Sequence, residues 1–456
     1  MRVDLYPFQR DGIERISRFG GRALLADEMG LGKTAQALVW MRENAKPPCI
    51  VICPASLKIN WAREAWKFIR TRSEILQGRK PPKGWKPCRK LIIINYDILA
   101  GWINKLTSIR PILVIVDECH YIKSRGSRRT ISVRSLCKSA KFVIGMSGTP
   151  LTNRPEELFP ILNIIRGDKY NSFISYAWEF CDPKHNRYGW DFTGSKNLGG
   201  LHKQLSNTCM IRRKKKDVLK DLPAKSRFVI PMQIDGQEYR HAENNFNEWY
   251  RNRGKNVSRA NQYVRVGELK RYAAQLRLPS SIEWIENFLE SSDGKLIVFG
   301  IHWTILGMLN IKFRKMCVSI NGIVTGKKRQ LAVDRFQKSS KIRLLIGNIQ
   351  AAGLGLNLTA ADSVVFVEMG WTPGEHAQAE ARPHRIGQRN PVSCYYLVAE
   401  GTIEEDVCRI IDRKQRISDD AIDGGKKEDQ KSVLDLLLEG INRRRRRSID
   451  EWRNKG

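Results

Sequence analysis

Short apolar runs separated by helix-length spacers occur twice along this chain, and that repeated rhythm narrows its possible folds more than any other feature. The first set is "ALLA", "IVICP", "LIIINY", "ILVIVDE" and "KFVIGMSG". Runs this short that are apolar on both faces read as buried parallel strands. Stretches such as "KTAQALVWMREN" and "SLKINWAREAWKFI" lie between them, so the pattern is β-α-β and predicts a doubly wound α/β sheet. The rhythm returns in "KLIVFG", "CVSING", "RLLIGN", "SVVFVE" and "VSCYYLV". The expected organisation is a first lobe over 1–165, a helical insertion and basic linker over 166–225, and a second helical insertion over 226–292. A second lobe follows over 293–400, then a C-terminal brace helix and basic tail over 401–456. A chain of 456 residues suits two or three compact units.

Charge narrows the partners. The chain has 80 Lys plus Arg against 47 Asp plus Glu, a formal net charge of +33, which is far more than solubility requires. Such an excess, spread along the chain, suits counterion-release binding to a phosphate backbone. A membrane surface is the other polyanion, but no apolar run approaches a span. The N-terminus carries Asp4, Asp11 and Glu14 and has no apolar core, which argues against a signal peptide. The ten cysteines include no C-x-x-C pair, favouring reduced thiols in a cytosol-like compartment without a zinc site. Cys181 and His185 have a ligand-like spacing but no second pair nearby. The run "NRRRRRS" reads as a tail that contacts backbone phosphates, with a localisation signal as the alternative.

The chemistry begins in "ADEMGLGKT", a phosphate-binding loop whose usual first glycine is Asp27. Gly30 and Gly32 free the loop to aim backbone N–H groups at phosphate oxygens, and the helix starting near Lys33 presents its positive end. Lys33 would reach the β/γ-phosphates of ATP, and Thr34 would ligate Mg²⁺. In "ILVIVDECH" an apolar strand ends in adjacent carboxylates. Asp117 is placed to hold Mg²⁺ through water, and Glu118 to orient and deprotonate the attacking water. Phosphoryl transfer also needs positive charge on the transition state, and "QAEARPHRIGQ" offers Arg382 and Arg385 beside His384. They follow a Gly-rich strand exit in a lobe with no phosphate-binding loop of its own. The expectation is an ATP site between the lobes, complete only when they close.

Taken together, "YPFQ", "DEMGLGKTAQ", "PASLKINWAREAWKF", "DECH", "SGTPLTNRPEEL", "RRKKKDV", "GLGLNLTAAD" and "QAEARPHRIGQ" resemble the Swi/Snf-like branch of superfamily 2 helicases, in the usual order and over nearly the whole chain. Within that branch, "FCDPKHNRYGWDFTGSKNLGGL" followed by "MIRRKKKDVLKDLPAK" looks most like the fork-remodelling annealing helicases, without their extra partner-binding domains. The resemblance implies two tandem RecA-like lobes. It also implies an ATP-driven translocase on double-stranded or branched DNA, which tracks one strand and typically does not unwind it.

Residue by residue, Gln9 matches an adenine-reading glutamine, with Phe8 or Arg10 flanking the base. Asp27, Glu28, Met29, Gly30, Leu31, Gly32, Lys33 and Thr34 match the loop, in which this family commonly has Asp first. Asp117, Glu118, Cys119 and His120 match the DEAH-type box, with Cys119 in place of the common alanine. Ser147, Gly148 and Thr149 match the element that couples hydrolysis to DNA contact. Gly353, Gly355 and Asn357 match a second-lobe element that senses both, Gly355 toward ATP and the other two toward DNA. Gln378, Arg382 and Arg385 match the arginine-finger motif, with Gln378 in coupling. Pro383 departs from a simple helical finger, since its fixed φ and missing N–H end or bend a helix. Pro54, Ser56 and Trp61 match a first-lobe segment near the DNA backbone, and Trp371 a second-lobe one.

Alternate phosphate grips by the two lobes would turn each hydrolysis into a step, with little sequence preference and steep salt dependence. Two other readings compete: a non-catalytic DNA-binding scaffold, and a strand-separating DNA or RNA helicase. The compact chain, without a recognisable histone-reading or zinc-finger appendage, suggests a monomeric bacterial, viral or phage accessory to replication, recombination or repair. Its expected location is the cytoplasm of a bacterium or phage-infected host, or the nucleus if eukaryotic.

Overall fold

The computed structural model describes residues 4–148, 150, 154–186, 189–253, 257–322, 326–353, 355–411 and 436–441. Among them the chain divides into two compact units between Leu222 and Pro223. Both are built on a parallel sheet, as the doubled rhythm predicts.

The first unit has a seven-stranded sheet. Its strands are β1 (Arg22–Leu25), β2 (Cys49–Cys53), β3 (Ser73–Ile75), β4 (Leu91–Asn95), β5 (Leu113–Asp117), β6 (Phe142–Met146) and β9 (Met210–Ile211). An exposed antiparallel hairpin, β7 (Lys184–Asn186) with β8 (Gly189–Asp191), stands apart from the sheet. The order is β3-β4-β2-β5-β6-β1-β9, every pair parallel. Every residue of β2, β4 and β5 is buried, because helices cover both faces. One such helix, Lys58–Ile69, buries Trp61, Ala65 and Ile69 at four-residue intervals.

The second unit has a six-stranded sheet of β10 (Lys225–Met232), β11 (Leu296–Gly300), β12 (Cys317–Ile320), β13 (Leu344–Asn348), β14 (Ser363–Phe366) and β15 (Val392–Ala399). Its order is β10-β15-β14-β11-β13-β12, again parallel throughout. The strand β10, "KSRFVIPM", falls in the segment expected to be helical. It lies at the sheet edge, where Pro231 costs no shared ladder bond.

The segment 166–225 differs from its expectation as insertion and linker. Residues up to Leu222 belong to the first unit, and β9 pairs with β1 through Leu24↔Met210 and Leu25↔Ile211. Two residues suffice because Leu24, Leu25, Met210 and Ile211 are all buried apolar side chains. Of the C-terminal brace, residues 403–411 and 436–441 are helical, and the basic run lies outside the described residues. No helix among the described residues is long and apolar enough to cross a membrane.

Candidate nucleotide site

Strand order assembles the first-unit site. The phosphate-binding loop follows β1, the DEAH-type box ends β5 and Ser147 follows β6, and β5, β6 and β1 are neighbours. Register aligns their C-terminal ends, with Leu25 and Asp117 both paired to Met146. A parallel sheet places ligands at such an edge.

Gly30 and Gly32 have φ of 89° and 76°, and Gly32 caps the helix Lys33–Asn44, so the loop requires glycine at both turns. Lys33 Nζ donates to the carbonyls of Asp27 (2.7 Å) and Glu28 (3.3 Å). Burial pushes its ammonium down, opposed by the carboxylates of Glu118, Asp27 and Asp117. Gln9 is buried and tied to the loop: its Nε2 donates to Leu31 O at 3.1 Å, and its Oε1 accepts from Tyr6 N at 3.1 Å. Phe8 is buried beneath the Arg213 guanidinium, 5.3 Å from the ring centroid, whereas Arg10 is exposed. Thr34, half-buried, stands one residue into the helix.

Asp117 is held by two donors. Trp61 Nε1 reaches its Oδ2 at 2.8 Å and the Glu118 N–H its Oδ1 at 3.0 Å, while Tyr96 donates its hydroxyl to the Asp117 carbonyl at 2.6 Å. Burial and the adjacent Glu118 nevertheless push the Asp117 carboxyl up to about 7. Glu118 has φ 51°, a left-handed conformation that costs a non-glycine residue of order 1 kcal/mol. It turns the chain from strand into the one-turn 3-10 helix Cys119–Ile122. Burial lowers the His120 imidazole to about 4, so it is neutral, and its Nδ1 lies 3.4 Å from Glu118 Oε2 and 3.2 Å from Ser147 Oγ. Cys119 is packed in the core, where burial pushes its thiol up. A Cβ at Gly148 would fall 2.4 Å from Met29 Cγ, so Gly148 packs directly on the loop. Thr149 lies outside the described residues.

The structure also gives Asp27 a partner. It is fully buried and takes two bonds from Arg213, Nε to Oδ1 at 3.0 Å and Nη2 to Oδ2 at 2.6 Å, with Gln36 Nε2 also on Oδ2 at 3.0 Å. Arg212 Nη1 donates to the carbonyls of Ala26 (2.8 Å) and Gly148 (3.0 Å). Both arginines belong to the run "RRKKK", expected as linker charge. Their signals in the sequence are their place directly after the apolar pair Met210–Ile211 and the likeness of "RRKKKDV" to a motif of the family.

Trp61 and Pro54, expected beside DNA, are buried. Trp61 is 1% exposed because its ring fills the core under β2 and its N–H serves Asp117, which makes it a support of the box rather than a DNA contact. Pro54 caps the turn Ala55–Leu57, and Ser56 is half-buried. Cys181 is buried and His185 exposed, and no cluster suited to a metal ion occurs among the described residues.

In the second unit the helix Pro373–Glu380 stops three residues before Pro383, so Arg382 and Arg385 sit in the turns that follow it. Their Nη1 atoms converge on the Leu356 carbonyl, at 3.5 and 3.2 Å, and Arg382 Nε donates to Gln378 O at 2.7 Å. Gln378 and Gly353 are buried, Gly355 is half-buried at φ 62°, and Asn357 is exposed. Trp371 is half-buried under Lys270, whose Nζ lies 4.4 Å from the ring centroid. The segment carrying the motif is anchored by a buried carboxylate absent from the expected set, and a second such carboxylate, Glu404, lies elsewhere in the unit. Glu380, within "QAEARPHR", accepts from Lys225 Nζ (2.6 Å), Arg227 Nε (2.6 Å) and Nη2 (2.8 Å), and Tyr396 Oη (2.7 Å). These cations hold its carboxyl down at about 2 against the opposing effect of burial. Glu404 pairs with Arg277, both side chains fully buried, at 3.0 Å.

Residues 14–273 match the SNF2-related domain, and residues 280–387 match the helicase conserved C-terminal domain. The chain is 34% identical over 447 residues to the DNA annealing helicase and endonuclease ZRANB3 of Bos taurus, covering 94% of this chain and 41% of the relative. It is 33% identical over 425 residues to the SWI/SNF-related matrix-associated actin-dependent regulator of chromatin subfamily A-like protein 1 of Xenopus tropicalis, covering 91% and 44%. The chain thus spans about two fifths of the length of these curated relatives. Among solved structures it is similar to the Sulfolobus solfataricus SWI2/SNF2 ATPase core in complex with dsDNA, at 22% identity, TM-score 0.44 and coverage of 93% and 94%. The first family match alone runs over more than half of the sequence, and the chain belongs to the SNF2-related family.

Proposed function

We propose that this protein is a DNA-dependent ATPase that translocates on double-stranded or branched DNA, remodelling or reannealing it in replication, recombination or repair. The observation that carries the reading is the placement of Lys33, Asp117 and Glu118 at one sheet edge, after the aligned C-terminal ends of β1 and β5 on either side of β6. A half-buried ammonium beside one buried and one half-buried carboxylate is the charge arrangement that a nucleotide phosphate with its cation completes. Lys33 holds the β/γ-phosphates, Gln9 reads adenine, and Glu118 orients and deprotonates water. The hard oxygen donors of Thr34 and Asp117 fit Mg²⁺, which keeps most of its ligands as water and phosphate and would neutralise phosphate charge. This also suits a site with no larger carboxylate or histidine cluster among the described residues.

Arg382 and Arg385 are assigned to stabilise the transition state, with Gly355 toward the nucleotide. Ser147, Gly148, Thr149 and Gln378 couple hydrolysis to DNA contact. Ser56, Asn357 and Trp371 face the DNA backbone in this assignment, and Gly353, buried against the Ile349 carbonyl, shapes the loop that presents Asn357. The net charge of +33 supports a phosphate-backbone track, and the name "DNA annealing helicase" of one relative supports reannealing as the outcome. The test is strand displacement and reannealing, measured side by side on forked DNA and matched RNA duplexes with ATP. ATP-dependent reannealing of DNA without displacement is the expected result. Displacement of either duplex without reannealing points instead to a strand-separating helicase.

A further inference from the structure

The peptide Arg212–Lys215 is bonded to the phosphate-binding loop at successive positions. Arg212 takes the Ala26 carbonyl, Arg213 both oxygens of Asp27, the Glu28 N–H donates to Arg213 O at 3.0 Å, and the Lys215 N–H donates to Glu28 Oε2 at 2.7 Å. Arg213 also leaves the loop: Nη2 donates to Gln36 Oε1 at 2.8 Å, Nη1 donates to the Phe8 carbonyl, and its plane covers the Phe8 ring at 5.3 Å. One guanidinium therefore ties together the loop, the helix behind it and the N-terminal segment carrying Phe8 and Gln9. The space around it is closed. A Cβ at Gly12, on the helix Pro7–Arg18, would lie 2.0 Å from Gln36 Oε1 and 2.5 Å from Arg213 Nη2.

We propose that Arg213 is the positioning residue of the nucleotide site, fixing the Phe8–Gln9 segment against the loop through Asp27, and so setting preference for adenine over other bases. This rests on the assignment of the first unit as an adenine-nucleotide site. The forked geometry explains the choice of residue: five N–H donors serve Asp27, Gln36 and Phe8 at once, and a lysine ammonium cannot match both carboxylate oxygens in plane. It also gives Asp27 a reason to replace glycine, since the carboxylate is the loop's half of the clamp.

The experiment measures fluorescent ADP and GDP analogues binding to the whole protein without DNA, alongside thermal melting and DNA affinity. Arg213→Ala, Asp27→Asn and Gly12→Ala are each expected to weaken ADP binding, Arg213→Ala by about 10-fold or more, as for loss of charged hydrogen bonds. Each should also narrow the ADP-to-GDP ratio, while DNA affinity stays put. Arg213→Lys should retain part of the ratio, and Arg213→Ala/Asp27→Asn should be no worse than the poorer single change, because both break one clamp. Gly12→Ala leaves every clamp residue in place, so its effect on the ratio survives any folding defect of the Arg213 variants. An unchanged ADP-to-GDP ratio in folded Arg213→Ala or Gly12→Ala overturns the proposal. Failure of the parent protein to bind either analogue overturns the nucleotide assignment itself.

Discussion

Asp117 in the first unit and Glu380 in the second are both deeply buried carboxylates, yet their acidities part in opposite directions. Burial is the largest effect on each. Asp117 is met by an indole N–H, a backbone N–H and the Lys33 ammonium, but burial and the second carboxylate next door outweigh them, and it is pushed up to about 7. Glu380 is met by Lys225, Arg227 and Tyr396, and it is held down at about 2. Desolvation makes a charge costly, and the partners decide where the compensation comes from. Glu380 is compensated within the fold, so its charge maintains architecture and anchors the turn that carries Arg382 and Arg385. Asp117 is only partly compensated, so the fold leaves it suited to a ligand that brings positive charge.

Substitutions should therefore separate the two sites by what they damage. The largest effect is expected on turnover: Lys33→Ala or Glu118→Gln should lower ATPase activity by a factor of about 100 or more, in line with removal of groups acting on the transition state, while melting curves stay near the parent's. Retained turnover in either variant would break the contrast, because the first-unit charges would then be structural too. Arg227→Ala should act first on stability. It removes two bonds to a buried carboxylate that keeps Lys225 and Tyr396, a loss of about 1–2 kcal/mol for a part-exposed cation, which calorimetry of the second unit's transition would register.

Trp61→Phe is an intermediate case. It keeps an aromatic ring in the core but leaves a small cavity and removes one donor from a buried carboxylate oxygen, the latter a loss of about 1–3 kcal/mol. Because the oxygen belongs to Asp117, kinetics should detect a fall in turnover at saturating Mg²⁺ as well as a lower melting point; a purely thermal effect would make Trp61 a core residue only. The smallest difference concerns pH. The Glu380 carboxyl is lowered from 4.5 to about 2 in the fold, so the stability it contributes is fully present above pH 4.5 and is lost as pH falls through that interval. Glu380→Gln should flatten this part of the acid-stability curve of the second unit, and an unaltered slope would deny Glu380 its structural part.

Both sheets were legible because their strands are nearly uninterrupted apolar runs, and the phosphate-binding loop and DEAH-type box were legible because each chemical group sits within a few residues of a strand end. Asp27 shows where that kind of reading stops. Its departure from glycine stands out in the chain, but its reason, Arg213, is 186 residues away inside a basic run that looks like surface charge. Trp61 was misplaced for a similar reason: an indole near a DNA-contacting segment carries no local mark of whether it faces a backbone phosphate or a carboxylate 56 residues on. The strand β10 was hidden because edge exposure leaves "KSRFVIPM" polar in its first half. Pro383 was correctly suggestive, since the helix ends before it at Glu380 and the two arginines emerge from turns.

The central claim, that the partly compensated carboxylates of the first unit serve ATP hydrolysis driven by DNA, is tested most directly by one titration. ATPase rate is measured with increasing single-stranded, double-stranded and forked DNA in parallel, at one fixed salt concentration. The account predicts slow hydrolysis without DNA and strong stimulation by duplex and forked DNA, absent from Glu118→Gln. Equal rates with and without DNA would contradict it.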